Sequence, residues 1–300
     1  MKQKIGLALG SGGARGWCHI GAIQVLNEAG IEPDIVCGAS MGALVGAAYV
    51  SGVLPELEAY ARSLTQVSVT RLVDFNMSTG GLIGGKLVDR QLRELGYKAD
   101  FDELDRPFLV VASDIFNARE IWLRDGDVVE CVRASIAVPG ILAPTYLNER
   151  WLMDGGMTNP VPVSACRALG ADIVIAVDPN SKQFAGVNCK SKGAHKPKKM
   201  DMNGLLKATP HALWPYMQSL LASEVKPEVK PPGYFTVLSA ATDLMTDQIR
   251  RSRMVGDPPH ILVNADLTHL TALDLHRAGE AIADGRRAME ENMDYLLSYL

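Results

Sequence analysis

The sequence predicts an α/β protein with a central, mostly parallel sheet flanked by helices. Three observations carry that prediction. From the start of the chain, short apolar runs of strand length alternate with segments of helical apolar spacing. Two of the strand-to-helix joins are glycine-rich, Gly10 to Gly16 and Gly38 to Gly42. The composition of the 300 residues, 47% hydrophobic and 21% charged, is that of a globular protein and excludes a disordered, collagen-like or coiled-coil chain. A single unit over 1–300 is expected, with a core at about 4–180, a basic insertion at about 180–200 and a C-terminal helical and strand extension at about 201–300.

Each element follows in order. Lys4 to Leu9 reads as a buried strand, and after the glycine-rich loop His19 to Ala29 reads as a helix, with Ile20, Ile23, Val25 and Leu26 at helical spacing and Gly30 placed to end it. Past the turn at Pro33, Asp34 to Cys37 is a short strand, and small and apolar residues from Met41 through Ala48 continue as a helix. Pro55 opens another helix to about Leu64. Gln66 to Gly85, rich in Ser, Thr and Gly and without a clear period, is expected to be a loop. A helix at Lys86 to Leu95 precedes strands at Phe108 to Ala112 and Glu120 to Leu123, and Val128 to Val138 reads as a helix stopped by Pro139-Gly140. Trp151 to Met153 is a strand running into Asp154-Gly155-Gly156, followed by a short helix near Pro162 to Leu169 and the strand Ile173 to Val177. No acid occurs between Asp178 and Asp201, where the lysines at 182, 190, 192, 196, 198 and 199 mark a surface insertion. Leu205 to Val225 is helix-prone but interrupted by Pro210 and Pro215. A strand at Tyr234 to Leu238, a helix at Thr242 to Arg253, a strand at Ile261 to Asn264 and a long helix from about Asp274 complete the expectation.

Charge and cysteine usage narrow the function. Lys+Arg 30 against Asp+Glu 34 gives a net charge of -4, so the whole-chain basic footprint of a nucleic-acid binder is missing and no such partner is expected. Cys18, Cys37, Cys131, Cys166 and Cys189 are scattered, with no C-x-x-C pair to hold a metal, which fits a reducing compartment. The apolar runs Ile5 to Leu9 and Ala43 to Leu54 are too short for a signal-peptide core or a bilayer span, so a cytoplasmic protein is expected. A homo-oligomer is compatible with the sequence.

Gly38-x-Ser40-x-Gly42 has the pattern of a nucleophile elbow, a strained strand-to-helix turn that projects a serine hydroxyl. The pattern alone is weak, and its context, an apolar strand before and a small-residue helix after, is what favours function over a merely tight turn. A serine is a poor nucleophile at its free pKa, so acyl transfer also needs a base and oxyanion donors. The loop Gly10, Ser11, Gly12, Gly13, Ala14, Arg15 and Gly16 offers backbone N–H groups beside the elbow. A dinucleotide-binding turn fits poorly, because Arg15 stands where its third glycine would fall and Asp34 precedes the second strand instead of following it. Two schemes compete for the base. A Ser, Asp, His order would draw on His260, His269 or His276, none of them in an obvious active-site loop; the other pairs Ser40 directly with Asp154 at an uncluttered strand end.

The segments Gly10 to Gly16, Gly38 to Gly42 and Asp154 to Gly156, with Ala134-Ser135-Ile136-Ala137-Val138-Pro139-Gly140 and Pro144 upstream of Asp154, resemble the patatin-like phospholipase family. The bacterial subgroup related to neuropathy target esterase is the most similar, and the resemblance extends through Pro258, Leu262 and Arg287 but is poorest at Val187 to Lys230. It implies a three-layer patatin-like fold and a Ser-Asp dyad, with Ser40 as nucleophile and Asp154 as base, acting on lipid esters without histidine, metal or cofactor. It also implies oxyanion donors at Gly12, Gly13 and Ala14, an elbow shaped by Gly38, Met41 and Gly42, and Gly155 and Gly156 following the base. Arg15 is expected to hold the loop rather than meet a lipid phosphate, and His19 to pack or hydrogen-bond. The substrate class is phospholipid, lysophospholipid or another lipid ester; the alternative is a regulatory or scaffolding protein that binds acyl chains or a protein partner with little turnover. Lys182 to Lys199, followed by Leu213 to Leu221 with Trp214, Tyr216 and Met217, has two readings: a solvated surface loop with aromatics packed on a core or subunit interface, or together a peripheral contact with an anionic inner-membrane surface.

Overall fold

The computed structural model describes residues 3–71, 85–182 and 233–300. An eight-stranded sheet organises them: β1 (Ile5–Leu9), β2 (Ile35–Ala39), β3 (Phe108–Asp114), β4 (Arg119–Leu123), β5 (Thr145–Leu147), β6 (Arg150–Asp154), β7 (Ile173–Asp178) and β8 (Ile261–Asn264). The order is β5-β6-β3-β2-β1-β7-β8, with β4 paired to β3. β3, β2, β1, β7 and β8 run parallel, whereas β4 and β6 join β3, and β5 joins β6, antiparallel. The sheet is therefore mixed but mostly parallel, with helices on both faces.

Period-two alternation sorts the strand residues into two cores. Leu7, Leu9, Val36, Val110, Ala112, Ile175 and Val177 face one layer with α1 (Cys18–Glu28), α2 (Met41–Val50), α3 (Leu54–Ser63), α4 (Gln66–Arg71), α5 (Lys86–Glu94) and α6 (Val128–Ser135). Ala8, Cys37, Ala39, Leu109, Val111, Val174 and Ala176 face the other layer, which includes α7 (Val163–Ala168). Burial on both faces is why β1, β2, β3 and β7 read as continuous apolar runs.

The chain divides into one compact unit, Met1–Ala185 with Ala241–Leu300, and a second, Gly186–Ala240. The sheet and both glycine-rich motifs lie in the first. Of the second, the described part is Gly233 and the opening turns of a helix, α8 (Tyr234–Gly256).

Several elements differ from the sequence expectation. Tyr234 to Leu238 is not a strand but the start of α8. Its aromatic and β-branched run looks strand-like, yet neither Gly nor Pro separates it from the helical pattern at Thr242, and the helix continues through it. Gln66–Arg71 forms a helical turn and a half within the expected loop, and 72–84 lies outside the described residues. The final helix is broken into a 3-10 turn at Leu275–Arg277, α9 (Ala278–Glu290) and α10 (Met293–Leu297). Its first turn is diverted because Asp274 accepts the Thr271 N–H through Oδ2 and the Arg277 N–H through its carbonyl. The loop expected at Gly10 to Gly16 ends in a 3-10 helix, Gly13–Trp17. The short strand β5 has no counterpart in the sequence reading.

One topological feature builds the site. Val110 and Val111 pair with both β2 and β4, and Ala112 to Asp114 pair with both β4 and β6. A strand has two sides, so β2 and β6 lie on the same side of β3. β2 ends at Ala39, opposite Val111, and β6 ends at Asp154, opposite Ala112. The first residue after β2 is thus delivered beside the last residue of β6.

Candidate active site

Ser40 is that residue. It joins β2 to α2 at φ 54° and ψ -122°, a conformation that non-glycine residues rarely adopt and that stores roughly 1–3 kcal/mol of strain. Flanking glycine is required by close approach: a Cβ on Gly42 would sit 2.0 Å from the Leu9 carbonyl oxygen. A Cβ on Gly38 would likewise sit 2.5 Å from the Ala43 backbone, and Met41 starts α2. The Ser40 carbonyl accepts the N–H groups of Ala43 at 2.9 Å and Leu44 at 3.1 Å, closing the first turn of α2.

Across from it, Asp154 accepts the Ser40 hydroxyl on Oδ2 at 2.5 Å and the Gly156 N–H on Oδ1 at 2.8 Å. Gly155 and Gly156 form the 3-10 turn Gly155–Met157 that bends back to make this second bond. Asp154's own carbonyl accepts the Ser113 hydroxyl at 2.8 Å, and its N–H donates to Ala137 O at 3.0 Å. Both side chains are sealed from bulk water, with Ser40 4% and Asp154 5% exposed. Burial pushes the Asp154 carboxyl up to about 6, against the opposing pull of the Ser40 and Gly156 hydrogen bonds. An ionised Asp154 above that pH is a stronger base than an exposed aspartate and already accepts a hydrogen bond from the hydroxyl whose proton it would take.

The glycine-rich loop lies beside the pair. Gly10 N donates to Val177 O, Ser11 N to Pro160 O and Arg15 N to Gly12 O. Ala14 corrects the sequence expectation, since its N–H donates to Ala272 O at 2.9 Å and is not free for an oxyanion. The N–H groups of Gly12 and Gly13 have no acceptor among the described residues. Gly13, at φ 56°, packs against Ala272, whose carbonyl oxygen would lie 2.5 Å from an added Cβ. Gly16 belongs to the 3-10 turn.

Arg15 is buried with Nε on Gly12 O and Nη2 on Asp243 Oδ1, each at 3.3 Å, the loop-holding arrangement. His19 donates from Nε2 to Gly10 O at 2.7 Å, and burial pushes its pKa down to about 4, so it is neutral. Neither bonds Ser40 or Asp154. The late histidines are also elsewhere: His260 Nδ1 accepts the Val174 N–H, His269 lies 3.6 Å from Glu280 and 3.5 Å from Asp284, and His276 is in the Leu275–Arg277 turn. Among the described residues no group of three or more His, Cys, Asp and Glu is placed to hold a metal ion, and no helix is long and apolar enough to cross a membrane. Lys190 to Lys199 and Leu213 to Leu221 lie outside the described residues.

Sequence reasoning assigned no role to Ser135, Ser113 or Ala137. The run Ala134 to Gly140 was legible as part of the resemblance, but nothing local marks which atoms it offers the site.

A serine on a strand-to-helix elbow, bonded to a strand-end carboxylate over a mostly parallel sheet, places the chain among α/β folds with helices on both faces of the sheet. Residues 7–167 match the family model described as patatin-like phospholipase, and the chain belongs to that family. It is 30% identical, over 94% of its length and 89% of the other protein, to an uncharacterized NTE family protein of Mycobacterium tuberculosis. Over 59% of its length it is 33% identical to human patatin-like phospholipase domain-containing protein 6, a match spanning 13% of that protein. Among solved structures, VipD from Legionella pneumophila aligns over 98% of this chain and 67% of its own, with 12% identity and a TM-score of 0.46.

Proposed function

We propose that the protein is a serine acyl hydrolase that cleaves carboxylic esters of lipids, of the phospholipase A or lysophospholipase type. Membership of the patatin-like phospholipase family implies lipid acyl hydrolysis, and the observation that carries the finer reading is the 2.5 Å bond between Ser40 Oγ and Asp154 Oδ2 in a buried elbow.

In this reading Asp154 takes the Ser40 proton as Oγ attacks the ester carbonyl carbon. The carbonyl π bond breaks, and the developing oxyanion is met by the N–H groups of Gly12 and Gly13. Collapse of the tetrahedral intermediate breaks the bond to the leaving alcohol, which recovers the proton from Asp154. Water then repeats the sequence on the acyl-enzyme, giving the fatty acid and free Ser40. No step calls on a histidine or a metal ion. The lipid is the partner this chemistry requires, and the basic and aromatic run from Lys182 to Leu221 supplies peripheral contact with an anionic membrane surface.

The test is hydrolysis of a soluble p-nitrophenyl ester and of phospholipid vesicles in the presence of EDTA. Ser40→Ala and Asp154→Asn should each abolish turnover of both while leaving the fold intact. The double variant should be scarcely worse, because nucleophile and base act as one unit. Full activity in Asp154→Asn, or loss on chelation that calcium restores, would contradict the dyad.

A further inference from the structure

The strained Ser40 backbone needs something to hold it. Its N–H donates to Ser135 Oγ at 2.8 Å, and the same hydroxyl donates to Val111 O at 2.6 Å. The direction is fixed, because the Ser40 amide can only donate and the Val111 carbonyl can only accept, so the single Ser135 proton goes to Val111. Ser135 is the last residue of α6 and has no exposed surface. Two residues on, Ala137 O accepts the Asp154 N–H at 3.0 Å. One three-residue segment, 95 positions from the nucleophile, therefore holds the backbones of both Ser40 and Asp154. Val111, which receives the Ser135 proton, is the β3 residue opposite Ala39, and its neighbour Ala112 is opposite Asp154.

We propose that Ser135 is a positioning residue, whose hydroxyl bridges the Ser40 N–H to the Val111 carbonyl and so fixes the nucleophile at proton-transfer distance from Asp154. The inference rests on the hydrolase reading above. It also removes the Ser40 N–H from the set of oxyanion donors, since that hydrogen is committed to Ser135. Without the bridge the elbow relaxes from its left-handed conformation and the hydroxyl swings off the carboxylate. A displacement of about 1 Å lowers a reaction rate about 10²-fold.

The experiment compares the parent with Ser135→Ala, Ser135→Cys and Ser135→Thr. It reads kcat and KM for a soluble p-nitrophenyl ester, the pH profile of kcat/KM, and the rate of fluorophosphonate labelling. Ser135→Ala should lose about 10²-fold in kcat and in labelling rate, with KM within about twofold. Its acid limb should move to higher pH, because the Ser40 hydrogen bond that lowers the Asp154 pKa is weakened. Ser135→Thr, which keeps the hydroxyl, should recover most of the rate. Ser135→Cys, a poor acceptor of similar size, should fall between Ala and parent, and it carries the test if Ser135→Ala does not fold. A folded Ala or Cys variant with parental kcat and an unmoved acid limb overturns the proposal while leaving the hydrolase reading intact. A parent that neither hydrolyses esters nor labels removes that reading, and this inference with it.

Discussion

In the proposed mechanism, catalysis and stability pull Asp154 in opposite directions. Burial raises its folded-state pKa to about 6, above the roughly 4 of an unfolded aspartate. The folded state therefore binds the proton more tightly, and the contribution to stability is full below about pH 4 and lost as pH rises through about 6. As the proposed base, by contrast, it works only when ionised. Ester hydrolysis should thus rise with pH through about 6 to a plateau, while the melting temperature of Asp154→Asn relative to the parent should climb over the same interval and the two should converge below about pH 4. A variant with the parent's melting temperature throughout would show that the carboxylate is not buried against its charge. Ser40 and Asp154 were legible in the sequence because crowding forces glycine beside each, and those glycines are local. Ser135 was not legible, since its partner is 95 residues away and a single hydroxyl leaves no pattern. The assignment of Ala14 as an oxyanion donor failed for the same reason: its acceptor, Ala272, is distant in the chain and contributes only a carbonyl.

Among the elements, β1, β2, β3 and β7 were legible because burial on both faces makes them apolar throughout, and α1 because its spacing is clean. α8 was misread at its start, because five residues, four of them aromatic or β-branched, satisfy either period until the length of the whole helix is known. Its later turns are tied to the sheet by charge. Arg250 donates to Asp178 Oδ2 at 3.0 Å and to Asp247 Oδ1 at 2.6 Å, and Asp178 has no exposed surface at the end of β7. Burial pushes the Asp178 pKa up while Arg250 pulls it down. Removing only the cation strands a buried carboxylate, so Arg250→Met should cost about 3–5 kcal/mol in urea unfolding, whereas Arg250→Met with Asp178→Asn should recover a large part of it. Equal stability of Arg250→Met and parent would mean that the pair does not fasten α8.

For the molecule as a whole, the mostly parallel character of the sheet followed from alternation of strand and helix, whereas the strand order and the placement of β6 beside β3 did not. That placement depends on β2 ending at Ala39 and leaving the side of β3 free, a fact of register rather than composition. It is also what makes a site out of residues 114 positions apart. In the proposed function, contact with a lipid surface is assigned to the lysines between 182 and 199. Replacing Lys190, Lys192, Lys196, Lys198 and Lys199 with Gln should weaken sedimentation with anionic vesicles by about 10³-fold, given about 1 kcal/mol for each of the five lysines near such a surface, and should leave turnover of a soluble ester unchanged. Binding insensitive to salt and to these substitutions would contradict that contact. The central claim is that Ser40 and Asp154 form one reactive unit, and active-site labelling tests it most directly. Fluorophosphonate treatment followed by peptide mass mapping should place a single adduct on Ser40 in the parent, none in Ser40→Ala, and one that forms at least about 10²-fold more slowly in folded Asp154→Asn. An adduct on another residue, or parental labelling of Ser40 without the carboxylate, would contradict it.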